Sequence, residues 1–229
     1  MITSMARTAP REQLRERMFA AALQALEAGG PEAVQVRGVA TAAGASTQAV
    51  YTVFGGMPGL FEALIVDGFS RFAHHIASVP ETEDPVSDHF AKGGAYVDWA
   101  LAHPQLYRLM FGLTGGALRA HPGLEMTMSG SLANFPEGRA AADVLIRSLD
   151  RVKTAGRIRG DQDTVLIAGQ FLSATHGFVL LAIAGAFADL HLAAQIIVEA
   201  GINLMVGLGD DPAACRRSAE DAMSKRRLP

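Results

Sequence analysis

Apolar residues recur along most of this chain at the three- and four-residue spacing of amphipathic helices. In the first such segment, residues 11–28, Leu14 and Met18 share one face while charged side chains occupy the other. The letters GGP at 29–31 end this helix, because Gly tolerates the left-handed conformation and Pro31 cannot continue a helix. Further helical patterns cover residues 36–43, 58–77, 85–102, 104–111, 136–156, 161–188 and 191–206. No segment shows the alternation of a strand, so the pattern predicts an all-α fold.

The segment after residue 43 predicts the second half of a helix-turn-helix. Gly44 supplies a position that tolerates positive φ, and Ser46 can cap a third helix by accepting a backbone N–H bond. Val50 and Phe54 lie four residues apart and would anchor this helix to the two before it. Its opposite face carries hydroxyl, amide and phenol groups, from Thr47, Gln48, Tyr51 and Thr52.

These polar side chains suit a helix that lies against DNA. Gln and Thr can hydrogen-bond base edges, and Thr and Tyr hydroxyls commonly donate to phosphate oxygens. The same residue types also occur on ordinary solvated helices, although Lys and Glu would be more usual there. The segment therefore favours nucleic-acid recognition, with a simple solvated face as the alternative.

Residues 165–188 carry no formal charge and exceed the roughly 20 residues needed to span a bilayer. Polar groups are costly in lipid, and four lie within this run: Gln170, Ser173, Thr175 and His176. We therefore expect a helix that protein covers on several sides, and no membrane partner. The small residues along it and the apolar content of residues 191–206 predict a four-helix interface between two copies of the chain.

The composition of the 229 residues, 49% hydrophobic and 19% charged, excludes a disordered or collagen-like protein. The net charge is −3, but residues 1–60 hold five Arg and four Glu, which permits contact with nucleic acid without demanding it. The single cysteine, Cys215, excludes a disulfide within the chain, and we expect an exposed thiol there. No basic and apolar leader opens the sequence, so a cytoplasmic protein is expected.

The stretch VYTVFGGMPGLFEAL, residues 50–64, resembles part of the DNA-binding region of the TetR family of bacterial transcriptional repressors. The matching positions are Tyr51, Phe54, Gly55, Gly56 and Leu60, together with Ala40 and Gly44 upstream. Residues 96–112 and 175–185 are similar to two segments of one subfamily's ligand-binding domain. That subfamily has a His-Pro-x-x-Tyr-Arg core and a later His-Gly on the dimerising helix.

The resemblance implies a helix-turn-helix DNA-binding domain with an N-terminal arm over residues 1–58, a ligand-binding and dimerisation domain over 59–207, and a polar, mobile tail over 208–229. It implies DNA contacts from one set of residues: Arg37, Ser46, Thr47, Gln48, Ala49, Tyr51 and Thr52. Met57 departs from the family pattern, which usually has a phosphate-binding lysine at this position. The loss of one cationic contact per subunit would make the salt dependence of DNA binding shallower.

The same resemblance implies a largely apolar cavity for a small-molecule effector in the C-terminal domain. The residues expected to line it are Tyr96, Trp99, Tyr107, Met110, Phe111, Phe171, Thr175 and His176. Aromatic residues at helical spacing are also typical of an ordinary core. A hydrogen-bonded core histidine is an equally good interpretation of His176.

The sequence and the resemblance together predict a ligand-responsive transcriptional repressor that binds a palindromic DNA operator as a homodimer and is released by its effector. The alternative is a helical small-molecule binding protein whose DNA binding is weakened or lost, as Met57 would allow. An enzyme is not expected, because no nucleophile–base pair stands out. His74 and His75 are adjacent and point about 100° apart on a helix, so we expect no metal site and no cofactor.

Overall fold

The computed structural model describes residues 5–112 and 136–225, with side chains from residue 10 onward except that of Leu190. Within these ranges the chain forms ten α-helices and no β-strand, as the apolar periodicity predicts. The helices are α1 (Met5–Gly29), α2 (Val36–Ala42), α3 (Thr47–Phe54), α4 (Met57–Ala77), α5 (Pro85–Ala102), α6 (Pro104–Met110), α7 (Pro136–Thr154), α8 (Thr164–Ile183), α9 (Leu190–Gly207) and α10 (Pro212–Lys225). The irregular segment predicted over 112–135 lies outside the described residues from 113 onward.

The ends of α8 show how local signals set the helix bounds. Asp163 is its N-cap, and its carboxylate accepts a hydrogen bond from the Val165 N–H at 2.9 Å. At the other end α8 stops at Ile183, five residues before the predicted bound. The reason is Gly185, whose φ of 74° takes the chain out of the helical conformation.

The described helices form two compact units, and the first contains residues 5–70, 103–112 and 136–138. Fully buried side chains of its core include Met18, Leu26, Val50, Leu60, Leu64, Phe69, Leu106 and Tyr107. In this unit α6 packs on α1, and a Cβ at Gly30 would lie 3.2 Å from Gln105 Oε1. Helix α6 and residues 59–70 thus belong to the same compact unit as the helix-turn-helix. The division of DNA binding from ligand binding at residue 58 concerns function, and it stays a prediction.

The second unit contains residues 71–102 and 139–225. Its hydrophobic core draws on five helices, through residues that include Val86, Phe90, Leu149, Val152, Ile167, Phe171, Ile202, Met205, Cys215 and Ala219. Helix α5 contacts both α8 and α10. Helix α5 buries polar as well as apolar side chains, and the polar ones include Ser87, Asp88, His89 and Lys92.

The prediction of a mobile polar tail over residues 208–229 is wrong for the described part, because Pro212–Lys225 form α10. This helix packs on α5 and buries only short side chains: Cys215, Ser218, Ala219 and Ala222. A buried stripe of small residues gives little apolar signal, which is why the segment looked polar in the sequence. Cys215 is buried instead of exposed, and its burial beside Asp210 raises the pKa of the thiol to about 12.

Among the described helices, α8 is long and apolar enough to cross a bilayer, with a mean hydropathy of 1.7, and α3 with α4 passes the same test only as a pair bent by 58°. The core helices of soluble proteins also meet this criterion, so it is weak evidence for a membrane span. Only 28% of the apolar window of α8 is buried within one chain. A single chain therefore leaves much apolar surface of α8 exposed, and the expectation that protein covers this helix on several sides stays a prediction that a second copy would have to meet.

Candidate DNA-recognition helix and ligand-binding residues

Helix α3 is fixed at both ends by residues that the sequence analysis singled out. Ser46 is the N-cap, with φ −84° and ψ 157°, and its hydroxyl oxygen accepts a hydrogen bond from the Ala49 N–H at 3.3 Å. At the other end Gly55 adopts a left-handed conformation with φ 76°, and its N–H donates to the Tyr51 carbonyl oxygen at 2.9 Å. Val50 is fully buried, so the apolar face of α3 points into the first unit as predicted.

The opposite face of α3 points to solvent. Tyr51 is 54% exposed, and the other exposed residues of the predicted DNA-contacting set are Arg37, Ser46, Thr47, Gln48 and Thr52. Ala49, the remaining member, is half-buried. The Thr52 hydroxyl donates to the Gln48 carbonyl oxygen at 3.0 Å, so in this conformation it offers an acceptor to a partner.

Three arginines of α1 reach the neighbourhood of α3, and the sequence analysis did not single them out. Arg11 donates from Nη2 to the Thr52 carbonyl oxygen at 3.4 Å, and the guanidinium of Arg15 lies 5.3 Å from the centre of the Phe54 ring. Arg17 donates from Nε to the carbonyl oxygen of Ala43, the residue that follows α2, at 3.3 Å. All three are exposed, so positive charge borders the exposed face of α3. The sequence signal that could have revealed these contacts is the four-residue spacing of Arg11 and Arg15, which places both on one face of α1.

The predicted ligand-binding residues of the first unit lie on or just after α6. Tyr107 and Met110 are fully buried, and the Tyr107 ring lies 4.7 Å from that of Phe111. Phe111 also meets Phe69 of α4 at 5.6 Å and an interplanar angle of 70°. Gly68 admits Met110 against α4, because a Cβ at residue 68 would lie 2.7 Å from the Met110 sulfur. These three residues therefore form one cluster.

The remaining predicted ligand-binding residues lie in the second unit, in two groups. Tyr96 and Trp99 of α5 both contact the ring of Phe72, at centroid distances of 4.8 and 5.0 Å. On α8, Phe171 is buried, while Thr175 and His176 are half-buried. Burial lowers the pKa of His176, which favours its neutral form.

Comparison with known protein families decides the class of the chain. Residues 90–205 match the family model described as the tetracyclin repressor-like C-terminal domain, and residues 19–64 match that of bacterial regulatory proteins of the tetR family. The chain belongs to the TetR family. The predicted resemblance to the TetR family is thereby confirmed, as is the fold of an N-terminal helix-turn-helix followed by a helical C-terminal domain, whereas the subfamily with the His-Pro-x-x-Tyr-Arg core stays a prediction. TetR regulators are non-enzymatic DNA-binding proteins that control transcription.

Solved structures show the same TetR fold. A protein of unknown function from Rhodococcus sp. RHA1 is 30% identical, with a TM-score of 0.69, and the match covers 86% of this chain and 96% of that one. RolR in complex with resorcinol is 17% identical at a TM-score of 0.63, over 97% and 98% of the two chains. A TetR regulator from Marinobacter aquaeolei VT8 is 16% identical at 0.61, over 89% and 100%. No curated protein sequence matches the chain.

A buried polar pair in the second unit of this TetR chain was missed by the sequence analysis. His89 of α5 is 5% exposed, and its Nδ1 lies 3.1 Å from the hydroxyl of Ser148 on α7, which is 2% exposed. The imidazole also meets the Phe171 ring at 4.7 Å and 76°. The available signal was a His and a Lys three residues apart on a helix that is otherwise rich in buried residues.

The charged residues around α5 are paired with one another. Although burial favours the neutral acid, hydrogen bonds from Arg151 and Thr82 lower the pKa of Asp88 overall. Arg151 Nη1 lies 2.6 Å from that carboxylate, and Lys92 Nζ donates to Glu81 at 2.9 Å. In the described part of this TetR chain, no group of three His, Cys, Asp or Glu residues is arranged to hold a metal ion.

Proposed function

We propose that this TetR regulator is a ligand-responsive repressor that binds a palindromic operator as a homodimer and leaves it when a small, largely apolar effector binds. One observation carries the proposal: α3 is capped by Ser46, buries Val50, and turns hydroxyl, amide and phenol groups to solvent. We assign DNA binding to residues 1–58 and ligand binding with dimerisation to 59–207. The cytoplasm is the expected location.

The residues of α3 divide between base and phosphate contacts. Thr47 and Gln48 lie in its first turn, the part of a recognition helix that contacts base edges in the major groove. Tyr51 and Thr52 follow one turn later; the Tyr51 hydroxyl can donate to a phosphate oxygen, and the Thr52 hydroxyl can do so once it turns away from the Gln48 carbonyl oxygen. Further contacts are proposed for the same surface, from Arg37, Ser46 and Ala49 and from the arginines of α1.

Apolar side chains exposed on α8 and α9 support a dimer. Five of them are 44% to 60% exposed in a single chain: Val165, Leu166, Leu181, Leu192 and Ile196. A two-fold interface in which both helices meet their copies would bury this surface. Two copies of α3 would then reach successive major grooves, roughly 34–36 Å apart, of a palindromic site.

The proposed effector binds among the aromatic residues of the C-terminal domain. RolR, which shares this fold, was solved with resorcinol, a small aromatic compound, which supports an effector of similar size. An effector that binds one dimer conformation more tightly than the other shifts the spacing of the recognition helices. By linkage, effector and operator must weaken each other's binding by the same factor.

The alternative function is a helical small-molecule binding protein with weakened or lost DNA binding. It is suggested by Met57, which stands where the family usually has a phosphate-binding lysine. Arg11 and Arg15 argue against it, because two cationic groups beside α3 supply charge that residue 57 lacks. A gel shift with the DNA upstream of the chain's own gene, at two salt concentrations, separates the two functions. A repressor gives a discrete complex that weakens as salt rises, whereas the alternative gives none.

A further inference from the structure

We propose that His89 and Ser148 form the polar anchor for the hydroxyl group of a small, uncharged aromatic effector. The inference rests on the proposed ligand-responsive function and gives its effector a chemical class and a point of attachment. The pair lies within the second unit, where α5, α7 and α8 meet. Neither residue belongs to the set expected from the family resemblance.

The geometry leaves one hydrogen-bonding atom of His89 available. A neutral imidazole has two ring nitrogens, one a donor and one an acceptor. Nδ1 lies 3.1 Å from Ser148 Oγ, and this is the one side-chain hydrogen bond of His89 among the described residues. Buried polar atoms in native proteins are nearly always partnered. A ligand hydroxyl can donate or accept a hydrogen bond. It can therefore pair with Nε2 of His89 in either tautomer, whether that nitrogen is an acceptor or a donor.

The electrostatic surroundings favour an uncharged ligand. Burial, assisted by the nearby Lys92 cation, lowers the pKa of His89 to about 4, so the imidazole is neutral at pH 7. Lys92 is itself bound to Glu81, and Arg151, one turn after Ser148, is bound to Asp88. A carboxylate ligand at His89 would therefore lose its hydration without gaining an uncommitted cation from these groups. A phenol-type hydroxyl carries no such cost.

An aromatic side chain flanks the pair. The Phe171 ring stands at 76° to the imidazole, an edge-to-face arrangement that a ligand ring can extend. Apolar contact from α8 thus accompanies a single polar attachment point, a combination that is typical of small-molecule sites.

The test uses phenol as the probe, benzene as the matched apolar control and benzoate as the charged control, on the full-length protein. We expect phenol to bind at millimolar concentration and to shift the Nε2 resonance of His89 in nitrogen NMR of the wild type. We expect benzene to leave that resonance unchanged, and benzoate to bind more weakly than phenol. The wild-type spectrum needs no variant, so a folding defect cannot mask the result.

Variants then test the contact. His89→Phe should weaken phenol binding by about tenfold or more and leave benzene binding nearly unchanged. Ser148→Ala should weaken phenol binding by a smaller factor, because it removes the group that orients the imidazole. Phenol that fails to bind, binds no better than benzene, or leaves His89 Nε2 unperturbed would overturn the proposal. Equal phenol affinity in the wild type and His89→Phe would do the same.

Operator binding is measured separately, so the two proposals fail in different ways. If phenol contacts His89 but the wild type binds no DNA from its own promoter, the anchor stands and the repressor function falls. If the wild type binds its operator but phenol shows none of the expected behaviour, the repressor function stands and the anchor falls.

Discussion

The ring of Tyr51 lies against the backbone of Gly56, so closely that a Cβ atom at residue 56 would stand 3.2 Å from ring carbons Cδ1 and Cε1. Gly56 has a φ of 99°, a conformation that other residues rarely adopt. The glycine therefore lets the phenol lie flat at the end of α3 while its remaining surface stays exposed. Tyr51 is thus the proposed DNA contact, and Gly56 supports the position of its ring.

Gly56→Ala should weaken both folding and operator binding. The positive φ strains any residue with a Cβ, at a cost of roughly 1–3 kcal/mol, and the new methyl group would press on the Tyr51 ring. Thermal melting and a gel shift measure the two effects. Gly93→Ala is the control, because residue 93 lies inside α5 with nothing within 4 Å of its would-be Cβ. Equal melting temperatures for the two variants would contradict this account of Gly56.

Ser46→Ala should destabilise α3, because it removes the hydroxyl that accepts the Ala49 N–H bond. Loss of such a cap costs about 0.5–2 kcal/mol. Ser46→Asn preserves a capping oxygen and should keep most of the stability. Ser46→Asp also keeps the cap but places a negative charge beside DNA, so it should fold normally and bind operator poorly. Chemical denaturation and fluorescence anisotropy check these outcomes, and normal operator binding by the Asp variant would count against the proposed contact.

Asp210→Ala should be strongly destabilising. The Asp210 side chain is 1% exposed and receives two hydrogen bonds from Arg157, at 2.7 and 2.9 Å. Its removal leaves this partly buried cation with only longer contacts, to Asp84 and Ser218 at 3.4 Å. Breaking a buried pair in this way costs about 3–5 kcal/mol. Glu199→Ala is the control, because its bidentate pair with Arg216 is exposed and should matter little. Urea unfolding measures the free energy of unfolding of both variants. Equal losses of stability would mean that α10 does not depend on the Arg157–Asp210 pair.

His89 predicts a specific pH dependence of stability. Burial lowers its pKa to about 4 in the folded chain from the ordinary histidine value of 6.5, so the unfolded chain takes up a proton first as the pH falls. Stability is unaffected above about pH 6.5 and falls by up to about 3 kcal/mol between 6.5 and 4, with no further loss from this group below 4. Asp88 and Glu81 also titrate in acid, and their lowered pKa values add a further loss of stability.

His89→Gln isolates the contribution of the histidine from that of the carboxylates. Gln cannot take up the proton, so the variant should lose less stability than the wild type between pH 6.5 and 4. Denaturant melts at a series of pH values give the comparison. Identical pH profiles for the two proteins would mean that the imidazole is not held neutral in the folded chain.

Leu192→Glu should convert the proposed dimer to a monomer without unfolding the subunit. Leu192 is 54% exposed on α9, so a charge there costs a single chain little but opposes burial against a second copy. Leu101→Glu, at a 43% exposed leucine of α5, is the control and should remain dimeric. Sedimentation velocity decides between these outcomes. A Leu192→Glu protein that still sediments as a dimer would place the interface elsewhere.

The sequence predicted features whose cause is local and missed those whose cause is a distant partner. The Ser46 cap, the Gly55 turn and the Asp163 cap each act within four residues, so they could be recognised directly. Arg157 and Asp210 are 53 residues apart, and only the fold brings them together. His89 and Ser148 are 59 residues apart, and neither has a neighbour in sequence that reveals the other. Helix α10 was missed because its buried side chains are small.

The most direct test of the central claim is an anisotropy titration of labelled DNA from upstream of the chain's own gene, with a scrambled duplex for comparison. The account predicts two subunits per duplex and clear preference for the native sequence. The double variant Thr47→Ala and Gln48→Ala should fold normally and lose that preference while it retains weak, salt-sensitive binding. Unchanged preference in the double variant, or equal wild-type affinity for both duplexes, would contradict the claim that α3 reads DNA.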